Sequence, residues 1–414
     1  MINRRAFLSM LKIAHDNAIP IEGHKRNVTL IQSAERLSVN SNQHCAYADV
    51  NMTIDLDTID NQEFIVTVEV TELIAILSCS YFNMPMIGLS YKNDFLNIEH
   101  FSDELDYIRV KAVPDTMKEV HIKPNSVPVM TIDAMQFKEQ LTAVMKFSMP
   151  PKPEVRYYLN GINFKVVKVP NQANTQIEMC STDGHKLMTQ LIDTGLTYED
   201  SLIGYSEILP SACVKFLSKH LLSVSNELLT IIISPNAFMF YFKGLYGIKF
   251  TYNCTAIDGK YPDYPRVVPD ITDQTFSVTL NVKALIRKIE LLMAWAKAND
   301  TRRGDGLFLK IKKCIPKVTD TVEGMHVVRM SVSPMFPEIA AALEFTELKG
   351  HVAGQILYIN PSYFLKALKT SNLNINANGG VTIYFDEGSR ERGVQTPITM
   401  KAGNGSLIIM LMRG

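Results

Sequence analysis

The sequence predicts an α+β chain of three similar domains, and two observations carry that prediction. One order of elements passes three times along the 414 residues: an amphipathic helix, several strands, a second short helix, several more strands. A chain of that length also exceeds what a single hydrophobic core usually organises, so two or three domains are expected before any pattern is read.

The leading helix runs from about Arg4 to Asn17, with Phe7, Met10, Leu11, Ala14 and Ala18 at helical spacing and Arg5 and Lys12 opposite. Its second copy runs from about Asp133 to Phe147. There Phe137, Leu141, Val144 and Ser148 share a side, and Asp133 has the chemistry of an N-cap. The third copy runs from about Val282 to Ala298, where Leu285, Ile289, Leu292 and Ala296 share a face and Lys283 and Arg287 point away. The shorter helices are expected over Thr71 to Tyr81, Ser211 to Ser223 and Pro361 to Thr370. Alternating or β-branched runs such as Phe64 to Val70, Leu228 to Ser234, Phe238 to Phe242, Thr275 to Leu280 and Val381 to Phe385 read as half-buried strands. Pro and polar residues interrupt the pattern near Lys123 to Pro128 and Pro269 to Gln274. The expected domains are therefore 1–127, 128–273 and 274–414.

Lys plus Arg and Asp plus Glu both number 42, so the average field of the chain draws it to neither nucleic acid nor membrane. Placement is uneven, however. The six helical segments carry Arg4, Arg5, Lys12, Lys138, Lys146, Lys215, Lys219, Lys283, Arg287, Lys288, Lys297, Lys366 and Lys369 against Asp16, Glu72, Asp133, Glu139 and Glu290. Helices gathered on one surface would make it positive; the plainer reading is that lysines solvate helix faces.

The six cysteines are scattered, with no C-x-x-C, which argues against a zinc site or disulfide framework and for a reduced, cytoplasmic setting. The N-terminal stretch has helical periodicity and lacks the form of a signal peptide. Apolar runs such as Leu229 to Ile233 fall far short of the roughly 20 residues of a membrane span.

Phosphate-loop, dinucleotide, zincin and nucleophile-elbow motifs are missing. The best catalytic candidate is Thr182-Asp183-Gly184-His185, where a carboxylate and an imidazole lie close enough for general-base chemistry and a hydrolase. Turn chemistry accounts for Asp-Gly after a strand more simply. Tyr157 and Tyr158 beside Arg156 and Lys152 could stack on and pair with nucleic acid, or could be core packing at a strand entry. Leu407 to Met412 form an apolar run at a chain end, read as a last strand followed by methionines suited to a peptide groove.

FSMPPKPEVRYYLNGINFKV, STDGHKLM, DGKYPDYPRVVP and a terminal MLMRG occur in the order and spacing of the bacterial sliding clamp, the beta processivity subunit of the replicative DNA polymerase, and the chain resembles that family. The resemblance is strongest in the middle of the chain and at its end. In the first domain it rests on AYADVNM and the element layout. It implies three clamp domains, each with two helices on antiparallel sheets, and a head-to-tail dimeric ring with helices lining the hole. It further implies a processivity factor without catalytic residues, metal or cofactor.

Carried over by position, Lys25, Arg26, Lys152, Arg156, Tyr157, Tyr158 and Lys219 would face duplex DNA without reading its sequence. A pocket for short peptides of the replicative polymerase, the clamp loader and other partners would be formed by Leu159, Thr182, Gly184, His185, Leu187, Pro262, Arg266, Val267 and Tyr363. The chain end would add Ile408, Met410, Leu411, Met412 and Arg413. The alternative is a clamp-like peptide-binding scaffold that does not encircle DNA. Four departures from the family pattern stand out. Leu411 and Gly414 replace a proline and a bulky last residue, and Thr71 and Glu72 replace basic residues. Met335 to Ala342, with Glu338 among them, are more apolar than the acidic stretch usual there, and Lys312 to Gly324 form an insertion.

Overall fold

The computed structural model describes residues 1–18, 25–43, 48–56, 62–79, 84–99, 107–115, 129–150, 156–168, 175–193, 203–221, 228–271, 276–298, 307–313, 326–331, 340–349, 356–385 and 397–412. Lys152, Arg413, Gly414, the boundaries at 127 and 273, the apolar stretch 335–339 and most of the insertion lie outside these residues.

The elements follow one programme three times. The first pass is β1 (Ile2–Asn3), α1 (Arg4–Asn17), β2 (Asn27–Gln32), β3 (Arg36–Gln43), β4 (Ala48–Asp55), β5 (Phe64–Glu69), α2 (Val70–Ser78), β6 (Met86–Lys92), β7 (Phe95–Glu99) and β8 (Tyr107–Pro114). The second is β9 (Val129–Asp133), α3 (Ala134–Met145), β10 (Gly161–Lys168), β11 (Thr175–Thr182), β12 (Lys186–Asp193), β13 (Ser206–Pro210), α4 (Ser211–His220), β14 (Leu228–Ser234), β15 (Ala237–Lys243) and β16 (Lys249–Thr255). The third is β17 (Phe276–Asn281), α5 (Val282–Ala298), β18 (Leu307–Lys313), β19 (His326–Ser331), β20 (Ala340–Lys349), β21 (Ile356–Ile359), α6 (Pro361–Leu368), β22 (Gly380–Phe385), β23 (Ile398–Ala402) and β24 (Gly405–Ile409).

Each long helix follows directly on a strand, and the last residue of that strand caps it. Asn3 accepts from the Ala6 N–H at 3.1 Å, Asp133 from Gln136 at 2.8 Å and Asn281 from Ala284 at 3.0 Å. The apolar stripe of α1 is buried as its spacing predicts, with Ala6, Ile13 and Asn17 added. Asn17 Nδ2 donates to the carbonyls of Ser41 (3.1 Å) and Ala48 (3.3 Å), which fixes α1 on β3 and β4.

The chain forms two compact units. One holds residues 1–141, 164–177 and 193–259, the other residues 142–163, 178–192 and 260–414. The strands form two sheets, ordered β1-β6-β7-β8-β5-β2-β3-β4-β16-β15-β14-β9 and β13-β10-β11-β12-β24-β23-β22-β17-β20-β19-β18-β21. Two ladders join one pass of the programme to the next. β4 pairs with β16 in the first unit, and β12 pairs with β24 in the second. Each joint sets the third strand after a long helix against the final strand of the following pass. By the same rule β20 and β8 remain. Residues 107–111 of β8 pair with β7 and residues 340–344 of β20 with β19; among the described residues no strand pairs with their other edges.

Candidate functional site

In the second unit, the turn between β11 and β12 is locked by its own side chains. Asp183 Oδ1 accepts from the N–H of His185 (2.9 Å) and of Lys186 (3.0 Å). Thr182 Oγ1 accepts from Gly184 N–H (3.0 Å) and donates to the Lys186 carbonyl (2.8 Å). Gly184 has φ +91°, a conformation that side chains with a Cβ rarely adopt. The Asp183 carboxylate is thus spent on the turn, with its second oxygen 2.6 Å from Lys186 Nζ, while the His185 ring stacks on Tyr363 with centroids 5.9 Å apart. The Asp183 carboxylate and the His185 ring are thus engaged with different partners.

The chain end is strung along this turn. Past β24, the Met410 N–H donates to the His185 carbonyl and the Met412 N–H to the Tyr358 carbonyl, both at 2.8 Å. Met410, Leu411 and Met412 are half-buried, whereas Leu159, Leu187 and Ile408 are buried. The segment bearing Pro262, Arg266 and Val267 is moored to β11 by the Tyr264 hydroxyl, which donates to Glu178; Asp263 holds Arg266 at 2.6 Å. Pro262, Arg266 and Val267 themselves are exposed. Buried apolar side chains, a methionine-bearing edge and a few oriented polar groups form a surface suited to a short peptide.

Lys186 is absent from the residues that sequence reasoning picked out, yet its side chain is buried in this site, ion-paired with Asp183 and donating to the Phe147 carbonyl. The one available signal was its spacing three residues after Asp183.

Of the DNA-facing candidates, Arg156 and Tyr157 are exposed and Tyr158 is half-buried, the two tyrosine rings meeting edge to face at 5.9 Å. Arg156 also approaches the peptide site, since a Cβ on Gly184 would lie 3.3 Å from its Nη1. In the first unit the candidates are engaged with neighbours. Lys25 pairs with Glu69 and Lys219 with Asp16, both at 2.7 Å, and Arg26 lies 2.8 Å from the His15 ring. His220, also against Asp16 at 3.2 Å, is pulled down to about 4 by burial, which outweighs the Asp16 carboxylate. Within the helix bounds of the structure, eleven Lys and Arg stand against four Asp and Glu. Arg5, Lys12, Lys215, Lys283, Arg287 and Lys366 are exposed among them.

Among the described residues no cluster of His, Cys, Asp or Glu could hold a metal, and no helix is long and apolar enough to cross a membrane.

Residues 131–263 match the family described as DNA polymerase III beta subunit, central domain. The beta sliding clamp of Proteus mirabilis is 32% identical over 150 residues, 34% of this chain and 36% of that protein. That of Escherichia coli K12 is 29% identical over 181 residues, 44% of this chain and 38% of the relative. These alignments thus span little more than a third of the relatives' own length. Similarity of fold extends further. A DNA polymerase sliding clamp of Pseudomonas aeruginosa, solved with ligand, superposes with a TM-score of 0.75 at 16% identity, covering 100% of this chain and 99% of that one. A second structure from that organism, bound to griselimycin, gives 0.73 at 17%, covering 100% and 98%. Residues 131–263 are thus similar in sequence to the central domain of a DNA polymerase III beta subunit, and the chain shares the fold of solved sliding clamps from end to end.

Proposed function

We propose that the chain is a DNA sliding clamp, a processivity factor that encircles duplex DNA and tethers the replicative polymerase. The observation that carries this reading is the strand pattern. Two of the joints that the threefold programme calls for are made within the chain, and for the third, residues 340–344 of β20 and 107–111 of β8 each have one edge on which, among the described residues, no strand pairs. A second copy placed head to tail supplies both edges, and two copies then close a ring of six repeats, taken as domains 1–127, 128–273 and 274–414. Basic helices support the same reading, because cations aimed at phosphates hold a duplex without reading its bases and allow it to slide.

The groove around residues 182–187 and the chain end takes short linear peptides of the polymerase, the clamp loader and other partners, and griselimycin, to which a Pseudomonas aeruginosa sliding clamp is bound, is the probe chosen for it. Its departure at Leu411 gives the edge a shape of its own. The protein works in the cytoplasm, and no residue is assigned a catalytic role.

Replacing Lys152 and Lys219 together by Glu tests the DNA-facing assignment without touching Arg156, which lies beside Gly184. Loss of clamp-dependent long primer extension, with griselimycin binding intact, is the expected outcome. Unchanged extension would refute the assignment and favour a peptide-binding scaffold that does not encircle DNA.

A further inference from the structure

Lys186 opens a strand and yet is only 3% exposed, and a buried ammonium needs partners to replace the water it has lost. Three elements provide them. From the turn, Asp183 Oδ2 lies 2.6 Å from Nζ; from the segment after α3, the Phe147 carbonyl accepts at 3.1 Å. The rings of Phe147 and of Tyr363, on α6, have centroids 5.6 Å from the same nitrogen, within cation–π range. Desolvation pulls the lysine below its ordinary pKa, Asp183 opposes that pull, and Lys366 adds to it.

The partners of this cation are themselves the frame of the peptide groove. Asp183 holds the N–H groups of His185 and Lys186 with its other oxygen, Tyr363 stacks on His185, and the His185 carbonyl holds Met410. The strand that follows Lys186 pairs with β24, so a shift of the lysine would move the turn and the chain end together. We propose that Lys186 is the positioning residue of the groove, a buried cationic strut that fixes the 183–185 turn and Tyr363 in their binding arrangement before a peptide arrives. This rests on the reading of the groove as a peptide site. In the absence of the strut, part of the binding free energy goes into ordering the turn, and affinity falls.

Calorimetric titration of the full chain with griselimycin tests it, comparing the unaltered protein with Lys186→Met, Asp183→Asn and, as control, Gln190→Ala. Gln190 is buried and donates to the Ala402 carbonyl away from the groove. The expected result is a tenfold or greater loss of affinity in Lys186→Met and in Asp183→Asn, no further loss in the double variant, and a change of less than twofold in Gln190→Ala. Amide exchange of the ligand-free protein should quicken at His185 and Met410 in Lys186→Met. Asp183→Asn keeps the size of the side chain and the Oδ1 acceptor, so it carries the test should Lys186→Met fail to fold. Unaltered affinity in Asp183→Asn, or equal losses in Gln190→Ala, would overturn the strut while leaving the groove in place. Failure of the unaltered protein to bind griselimycin would overturn the groove itself.

Discussion

At the β4–β16 joint, six residues of each strand pair in unbroken register from Ala48 with Cys254 to Thr53 with Lys249; at β12–β24 the ladder lasts three pairs, Lys186 to Met188. The longer joint is held by its ladder. At its end Asp55 draws in Lys249 at 3.2 Å and Arg36 at 3.5 Å, both exposed, and a cleft of about 740 Å³ lies beside it. The shorter joint is held by side chains. Ser406 N–H donates to Thr189 Oγ1 at 3.1 Å, and Gly405 sits so close that a Cβ would lie 1.9 Å from the Thr189 carbonyl oxygen. Shortness is what makes the second joint useful. Because pairing stops at Ile409, the next three residues are released to edge the groove beside His185. A continuous ladder joins; an interrupted one joins and frees the chain end that the proposed groove would use.

The largest effect should come from filling the close approach in the short joint. Gly405→Ala forces the two strands apart and should cost about 3 kcal/mol or more in urea unfolding, with the loss concentrated in the second unit.

Next is the helix side of the first unit, where Asp16 on α1 gathers Lys219 and His220 of α4. His220 has a folded pKa of about 4, below the ordinary imidazole value of 6.5, so the unfolded chain binds the proton first as pH falls. Its contribution is fully present above pH 6.5, declines between 6.5 and 4, and is gone below. The full loss is on the order of 3 kcal/mol. His15, lowered by burial and by Arg26, acts in the same direction. Urea unfolding at pH 7 and pH 4.5 should show the decline, and His220→Asn should flatten it; an equal decline in the variant would remove His220 as the cause.

The smallest effect belongs to the exposed end of the long joint. Asp55→Ala breaks two solvent-facing ion pairs and should change stability by less than about 1 kcal/mol, less still in high salt. A loss as large as that of Gly405→Ala would show that the ladder alone does not hold the first joint.

Helices were legible because their periodicity is local: α1, α5 and β14 keep the bounds that the pattern predicts, and the shorter helices end two or three residues sooner. Of the strands that precede the long helices, Phe276–Asn281 was legible within one residue at each end, whereas Ile2–Asn3 and Val129–Asp133 were not, since they are short and end in a residue whose chemistry announces the cap. Sheet continuity was out of reach too, because β4–β16 and β12–β24 join residues about 200 positions apart. Lys186 escaped for a related reason. β12 is covered on both faces, so Lys186, Thr189 and Gln190 are buried where alternation would have turned some of them to water. Charge on the helices could be counted from sequence, but the pairing of Lys25 with Glu69 and of Lys219 with Asp16 could not.

The most direct test of the account is electron-microscope imaging of the purified protein, scored for copies per particle and for closure. Closed rings of two copies with a central hole are predicted, with β20 of each copy meeting β8 of the other. Single copies, or open chains that never close, would contradict it.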